Sequence, residues 1–256
     1  MAHAILSYQM VGSGTPPVVL LHPISMRAAF WRPVAEKLKT ITSTILVDLR
    51  GHGDSPPTDK PFTLDDLAGD VTSLLESLQS APYIVVGCSL GGMVAQGLAV
   101  NRPDLLAGVV LADTTHSMGE HGASIMRRRA QDTARGIQFT VDSDLERWLS
   151  PDFRMSHPEM VNQVRQWALN NSSATISQAW DAIAGLSYER ALAQVSLPVL
   201  VTTGSLDVAS PPASARATAA AFPNARYMEI PGAGHFSPIE QPDLFSSIIE
   251  DFLRSL

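Results

Sequence analysis

One serine lies between glycines in Gly87-Cys88-Ser89-Leu90-Gly91-Gly92, after the apolar run Tyr83-Ile84-Val85-Val86 and before Met93-Val94-Ala95-Gln96-Gly97-Leu98-Ala99. A G-x-S-x-G between a strand and a helix predicts a sharp turn that lifts the serine hydroxyl above a sheet. Residues two before and two after the serine then have no room for a Cβ, and Gly87 and Gly91 meet that need. Gly92 fits a helix packed close against the sheet. The amides of Ser89 and Leu90 begin that helix and face the same space as the hydroxyl. An isolated match to this pattern arises by chance; the flanking strand and helix separate this one from background.

A serine hydroxyl is a poor nucleophile near neutral pH and needs a base, which in turn needs an orienting group. Two later loops supply candidates: Gly204-Ser205-Leu206-Asp207 and Gly232-Ala233-Gly234-His235-Phe236, each just past an apolar strand. The order Ser, Asp, His is the one used with this turn, and open parallel sheets collect ligands beyond the carboxyl ends of their strands. We assign Ser89 as nucleophile, His235 as base and Asp207 as acid. Asp113, in Leu111-Ala112-Asp113, is a rival acid. We favour Asp207, whose loop ends a strand and points a carboxylate, and read Asp113 as a turn residue. A tetrahedral oxyanion needs two donors. The Leu90 amide is one. In the early loop His22-Pro23-Ile24-Ser25, Pro23 has no N–H, so Ile24 is the second, with Ser25 as a helper. His22, His52, His116, His121 and His157 lack such a setting and read as structural or solvated.

The elements that must position these groups follow from periodicity and punctuation. Strands are expected over about 3–11 and 17–22, divided by Gly12-Ser13-Gly14, and over 43–48, 83–87, 105–111, 198–203 and 225–230. Helices are expected over about 30–39, 90–101, 212–222 and 241–254. A further helix carries Leu64, Leu67, Val71, Leu74, Leu75 and Leu78 at helical spacing behind a Thr63/Asp66 capping box. Strands alternating with helices imply an α/β fold with a mainly parallel sheet covered on both faces. Residues 114–194 have no convincing strand and hold three of the four tryptophans, Trp148, Trp167 and Trp180. The expected organisation is a core of 1–113 and 195–256 with a helical cap at 114–194.

The chain has 256 residues, 45% hydrophobic, with a net charge of −7, which argues against nucleic acid or an anionic membrane as partner. Arg127-Arg128-Arg129 is the one basic cluster and reads as a solvated helix face. A single cysteine, Cys88, rules out an internal disulfide framework. Neither a leader-like segment nor a run long enough to span a bilayer is seen, so a cytoplasmic protein is expected. No paired Cys/His cluster suggests a metal, and the chemistry needs no cofactor.

These residues resemble the α/β-hydrolase fold superfamily over nearly the whole chain. Asp48-Leu49-Arg50-Gly51-His52-Gly53-Asp54-Ser55 is similar to that family's turn after an early core strand, which implies a scaffold role for Arg50 and His52. Within the superfamily the chain looks most like 3-oxoadipate enol-lactone hydrolases and related carboxylesterases. The stretches that carry this are Gly87-Cys88-Ser89-Leu90-Gly91-Gly92-Met93, Gly232-Ala233-Gly234-His235 and Glu240-Gln241-Pro242; His22-Pro23 departs from the usual His-Gly. The resemblance implies a serine hydrolase acting on a small ester or lactone. A serine at the turn also suits carbon–carbon bond hydrolysis, cofactor-free perhydrolysis, or a slow-turnover ligand receptor. Trp148, Trp167 and Met126 are candidates for the cavity wall, with packing inside the cap equally expected. Arg128 and Arg147 are candidates to meet a substrate carboxylate, with a surface position favoured for each.

Overall fold

A computed structural model of the chain describes residues 4–58 and 60–256. Seven strands form one sheet: β1 (Tyr8–Val11), β2 (Val18–Leu21), β3 (Thr44–Val47), β4 (Tyr83–Cys88), β5 (Leu106–Ala112), β6 (Val199–Gly204) and β7 (Ala225–Ile230). Their order is β1-β3-β2-β4-β5-β6-β7. Every pairing is parallel except the antiparallel β1–β3 edge. Strands β2, β3, β4 and β6 are buried at every position, as continuous apolar runs covered on both faces must be. The expected strand over 3–11 shortens to β1, and residue 3 lies outside the described residues. Among the described residues β1 pairs with the four-residue β3 alone, and the register runs from Tyr8↔Val47 to Val11↔Thr44.

Helix α1 (Arg32–Leu38) starts two residues later than expected. Pro33, near its first position, lacks the N–H that a helix interior would use, and Ala28–Trp31 form a 3-10 turn ahead of it. Helix α2 (Leu64–Leu78) has the expected capping box: the Asp66 N–H donates to Thr63 Oγ1 at 3.1 Å and the Thr63 N–H donates to Asp66 Oδ2 at 2.8 Å. Helix α3 (Leu90–Asn101) packs on α2 and against β2, β4 and β5. Its all-round burial explains its weak amphipathic pattern.

The chain between β5 and β6 carries α4 (Gly119–Ala134), α5 (Val141–Trp148), α6 (Pro151–Ser156), α7 (Pro158–Leu169), α8 (Ser173–Ala184) and α9 (Glu189–Leu192). Helices α4 and α8 lie against each other, and an isolated bridge between Ser117 and Ser187 ties the outgoing and returning chain together. Helix α10 (Pro212–Ala220) packs on β6 and β7, and the short α11 (Ser237–Glu240) leads into α12 (Pro242–Arg254), which packs on α1.

The loop after β3 is fastened by buried polar contacts. Asp48 accepts from the Ala28 N–H at 2.6 Å and the Asp54 N–H at 3.0 Å. Arg50 grips Asp70 of α2 through Nε and Nη2, both at 2.6 Å, with side chains only 6% and 1% exposed. Arg50 is therefore scaffold, as its motif implies. Removing one partner of such a pair strands the other's charge. Arg50→Met is expected to lower unfolding free energy by about 3–5 kcal/mol, measured by urea denaturation at pH 7.

Candidate active site

Neighbouring strands bring the site together. Leu21 of β2 pairs with Gly87 of β4, so the loop after β2 and the turn after β4 emerge side by side. Ser89 sits at φ 52°, ψ −114°, between the last residue of β4 and the first of α3. A Cβ on Gly87 would run into the Gly91 carbonyl, and one on Gly91 into the Leu21 carbonyl. The crowding at Gly91 thus comes from the adjacent strand as well as from the turn. Gly92 is pressed against Thr114, whose hydroxyl donates to the Ser89 carbonyl at 2.8 Å. The Ser89 N–H is held by the Ala112 carbonyl at 2.9 Å. A serine at a helix start ordinarily turns its oxygen back to cap the helix. The side chain of Ser89 makes no such bond, so its hydroxyl is free to point outward.

Ser89 Oγ lies 3.0 Å from His235 Nε2, and His235 Nδ1 lies 2.8 Å from Asp207 Oδ2. Asp207, an acceptor, receives a hydrogen bond from Nδ1–H, so the ring proton stays on Nδ1 and Nε2 is left to accept from the serine hydroxyl. The loops that carry Asp207 and His235 are zipped together: the Leu206 N–H donates to the Ala233 carbonyl at 2.9 Å and the Gly232 N–H to Ser205 Oγ at 2.8 Å. A Cβ on Gly204 would strike the Gly234 carbonyl. Asp207 Oδ1 is occupied by the Ala209 and Ser210 N–H groups at 2.7 and 2.8 Å, so only Oδ2 faces the imidazole.

Asp113 plays a different part from the turn residue expected of it. It is fully buried at φ 50°, and it accepts from the Gly204 N–H at 2.9 Å, the Ser237 N–H at 3.2 Å and the Ser237 hydroxyl at 2.6 Å. It clamps the end of β6 to the chain after His235 and does not reach the imidazole. Burial, then the Asp207 charge, push its carboxyl well above the ordinary range. Cys88 is buried beside it and stays a thiol, its pKa raised by burial and then by Asp113 and Asp207.

Leu90 and Ile24 are buried, and neither amide donates to a protein acceptor among the described residues. Buried N–H groups without partners are rare because each forfeits its solvation. Ser25 has φ 63°, and its carbonyl accepts from Asn171 at 2.8 Å. His22 is structural: Nδ1 donates to the Pro23 carbonyl at 2.8 Å and Nε2 accepts from the Leu49 N–H at 3.0 Å. His52 packs against His22 with ring planes tilted by 54° and centroids 5.0 Å apart, and its Nδ1 meets the Arg50 carbonyl at 3.0 Å. His116 is half-buried against Thr218, while His121 and His157 are exposed.

A cavity of about 180 Å³ opens on Ser89 and His235. Trp148 and Met126 line it, as does Trp180. Trp167 does not; it lies in a separate surface groove with Phe30 and Ile239. Met93 also lines the cavity; it follows Ser89 by one helical turn, a spacing that already placed it on the same face. Arg128 is on the surface, paired with Asp132 at 3.1 Å. Arg147 instead lines the cavity and is half-buried, against the surface position expected for it. Among the described residues no three His, Cys, Asp or Glu side chains gather as metal ligands, and no helix is long and apolar enough to cross a membrane.

A family model described as the alpha/beta hydrolase family matches residues 18–248. Among curated proteins the chain is 27% identical to 3-oxoadipate enol-lactonase 2 of Acinetobacter baylyi, covering 97% of this chain and 93% of that one. It is 28% identical to a putative non-heme bromoperoxidase of Mycobacterium tuberculosis, covering 98% of both. Among solved structures, a malate-bound thermophilic esterase from Thermogutta terrifontis superposes with a TM-score of 0.92 at 30% identity, covering 98% of this chain and 93% of that one.

Burial holds His22 neutral down to a pKa of about 4 and His52 to about 3, against 6.5 in the unfolded chain. Below pH 6.5 the unfolded state takes up protons that the folded state refuses, so stability is complete above 6.5 and falls toward pH 4. Urea unfolding at pH 7.5, 6 and 5 is expected to show that fall. It should be shallower in His52→Asn, which has no imidazole to titrate.

Proposed function

We propose that this chain, which belongs to the alpha/beta hydrolase family, is a serine hydrolase that cleaves a small carboxylic ester or lactone through an acyl-enzyme. The observation that carries this reading is the unbroken line of two hydrogen bonds from Ser89 Oγ through His235 to Asp207, opening on a cavity. The enol-lactonase and esterase relatives support the choice of an ester bond.

In this mechanism His235 Nε2 takes the hydroxyl proton as Ser89 attacks the carbonyl carbon. Asp207 holds the Nδ1 tautomer and stabilises the imidazolium. The Leu90 and Ile24 amides receive the oxyanion. His235 then protonates the leaving oxygen, and the acyl-serine forms. Water, deprotonated by His235, attacks that ester and restores the hydroxyl. No metal or organic cofactor enters these steps. Residues 114–194 act as a cap whose α5 and α8 wall the acyl pocket. An engineered cavity of about 150 Å³ holds benzene, so this pocket suits a short acyl group, with the leaving group toward the opening. The bromoperoxidase relative favours one second reading, in which hydrogen peroxide replaces water against the same acyl-enzyme and a peracid leaves.

A hydrolysis panel of enol-lactones, saturated lactones and short alkyl esters should show turnover in the wild type. Ser89→Ala is expected to lower it by about 10⁶-fold, and Asp207→Asn by about 10⁴-fold. A fluorophosphonate should label Ser89, read by peptide mass spectrometry. Activity on no ester, or activity unchanged in Ser89→Ala, rejects the reading. Peroxide-dependent halogenation without ester hydrolysis would move it to perhydrolysis.

A further inference from the structure

The turn that follows β2 is restrained from the helical segment between β5 and β6. Residues 23–26 are closed by the Met26 N–H, which donates to the Pro23 carbonyl at 3.2 Å. That carbonyl also accepts from His22 Nδ1 at 2.8 Å. The peptide bond between Pro23 and Ile24 is trans, so two donors on its oxygen turn the Ile24 N–H the other way. Ser25, third in the turn, has φ 63°, while Ile24 has no positive φ. This is the type II pattern, which favours glycine at its third position. A serine there is strained and persists only where its surroundings impose it.

The restraint on it is Asn171, between α7 and α8. A side-chain amide has two protons to donate. Asn171 Nδ2 lies 2.7 Å from the Trp167 carbonyl and 2.8 Å from the Ser25 carbonyl, with the Ala168 carbonyl at 3.3 Å. Trp167 is in the last turn of α7, where carbonyls lack intrahelical partners. One proton therefore closes α7 and fixes the side chain, and the other reaches the turn across 146 residues of chain. Among the described residues no other donor meets the Ser25 carbonyl, and Ser25 is buried. Four residues on, Thr175 of α8 presses on Gly51, where a Cβ would strike its methyl group. One short stretch thus braces two early loops.

We propose that Asn171 is a positioning residue for the oxyanion hole: by holding the Ser25 carbonyl it keeps the 23–26 turn in its type II form and the Ile24 N–H in place. The inference rests on the serine-hydrolase reading, with Ile24 as the second donor. Once released, Ser25 relaxes to negative φ and the Ile24–Ser25 peptide turns over, as a type II turn does in becoming type I. The backbone that carries the Ile24 N–H shifts with it. A misplacement of about 1 Å at a reacting site costs about a hundredfold in rate.

The test begins with ethyl butanoate. Ethanol leaves slowly, so acylation limits turnover and KM reports binding. Asn171→Ala is expected to lower kcat about ten- to hundredfold and leave KM within about threefold. Asn171→Asp, of the same shape but without the N–H, should lose as much, and serves if the alanine variant does not fold. Asn170→Ala, exposed in the same loop, should change neither constant. Glycine takes positive φ without strain. In a Ser25→Gly background, whatever that change does alone, adding Asn171→Ala should therefore cost less than about threefold. A merely structural role for Asn171, as the closing residue of α7, would cost the same in both backgrounds. Circular dichroism and thermal unfolding report whether each variant folds.

A second arm needs no turnover. Ser89 adds to the carbonyl carbon of 1,1,1-trifluorohexan-2-one, His235 takes the hydroxyl proton, and the ketone oxygen becomes an oxyanion in the hole. Fluorine NMR titration should show its affinity falling about tenfold or more in Asn171→Ala. Hexan-2-one, a competitor that forms no such adduct, should bind both proteins alike. Ester hydrolysis with kcat and trifluoroketone affinity unchanged in Asn171→Ala, or with equal losses in the serine and glycine backgrounds, overturns this inference and leaves the hydrolase reading intact. Asn171-dependent trifluoroketone binding without hydrolysis of any ester does the reverse. A wild type that neither hydrolyses esters nor binds the trifluoroketone overturns both.

Discussion

Ser89 occupies a backbone conformation, φ 52° and ψ −114°, that a residue with a side chain adopts only when its surroundings impose it. The surroundings here are glycines. Gly87 and Gly91 let the turn close on itself and let it approach the carbonyl of β2. The Ala112 carbonyl and the Thr114 hydroxyl then hold the two sides of the Ser89 backbone. The strain keeps the hydroxyl off the helix start and aims it at His235. Every other feature of the site presumes that direction.

His235 reaches Ser89 across 146 residues of chain. It does so because β6 and β7 run side by side to a common end, Gly204↔Ile230, and their loops share hydrogen bonds beyond it. Asp113 is the concealed member of this arrangement. Its carboxyl binds donors from the end of β6 and from Ser237, fixing the chain on the far side of His235. Two buried carboxyl groups thus stand near the same imidazole with different work: Asp207 faces the ring, and Asp113 holds the frame.

The helical segment between β5 and β6 is fastened to the histidine loop more than a covering lid would need to be. Trp148 stacks on Phe236, and Phe236 stacks on His235 with centroids 5.7 Å apart. Cavity wall and imidazole are therefore parts of one packed unit, joined through the Phe236 ring. The same cavity is lined by Arg147 and Trp148 of α5 together with Ser89 and His235.

Much of this was legible without coordinates. The strands and helices around Ser89, Asp207 and His235 lie within a few residues of their expected limits, because apolar runs, capping residues and glycine requirements are short-range. The capping box at Thr63 and the scaffold role of Arg50 are local in the same sense. Asp113 was misread because a turn residue and a buried clamp look alike along the chain; its donors are Gly204 and Ser237, 91 and 124 residues away. Arg147 was misplaced, and Trp148 and Trp167 could not be separated, for a related reason. Each sits on a helix with two usable faces, and only the docking of that helix against the histidine loop decides which face meets the cavity. The sequence alone determined which chemical groups are available and in what order; tertiary packing decided which of them face one another, since that choice depends on contacts between segments far apart in the chain.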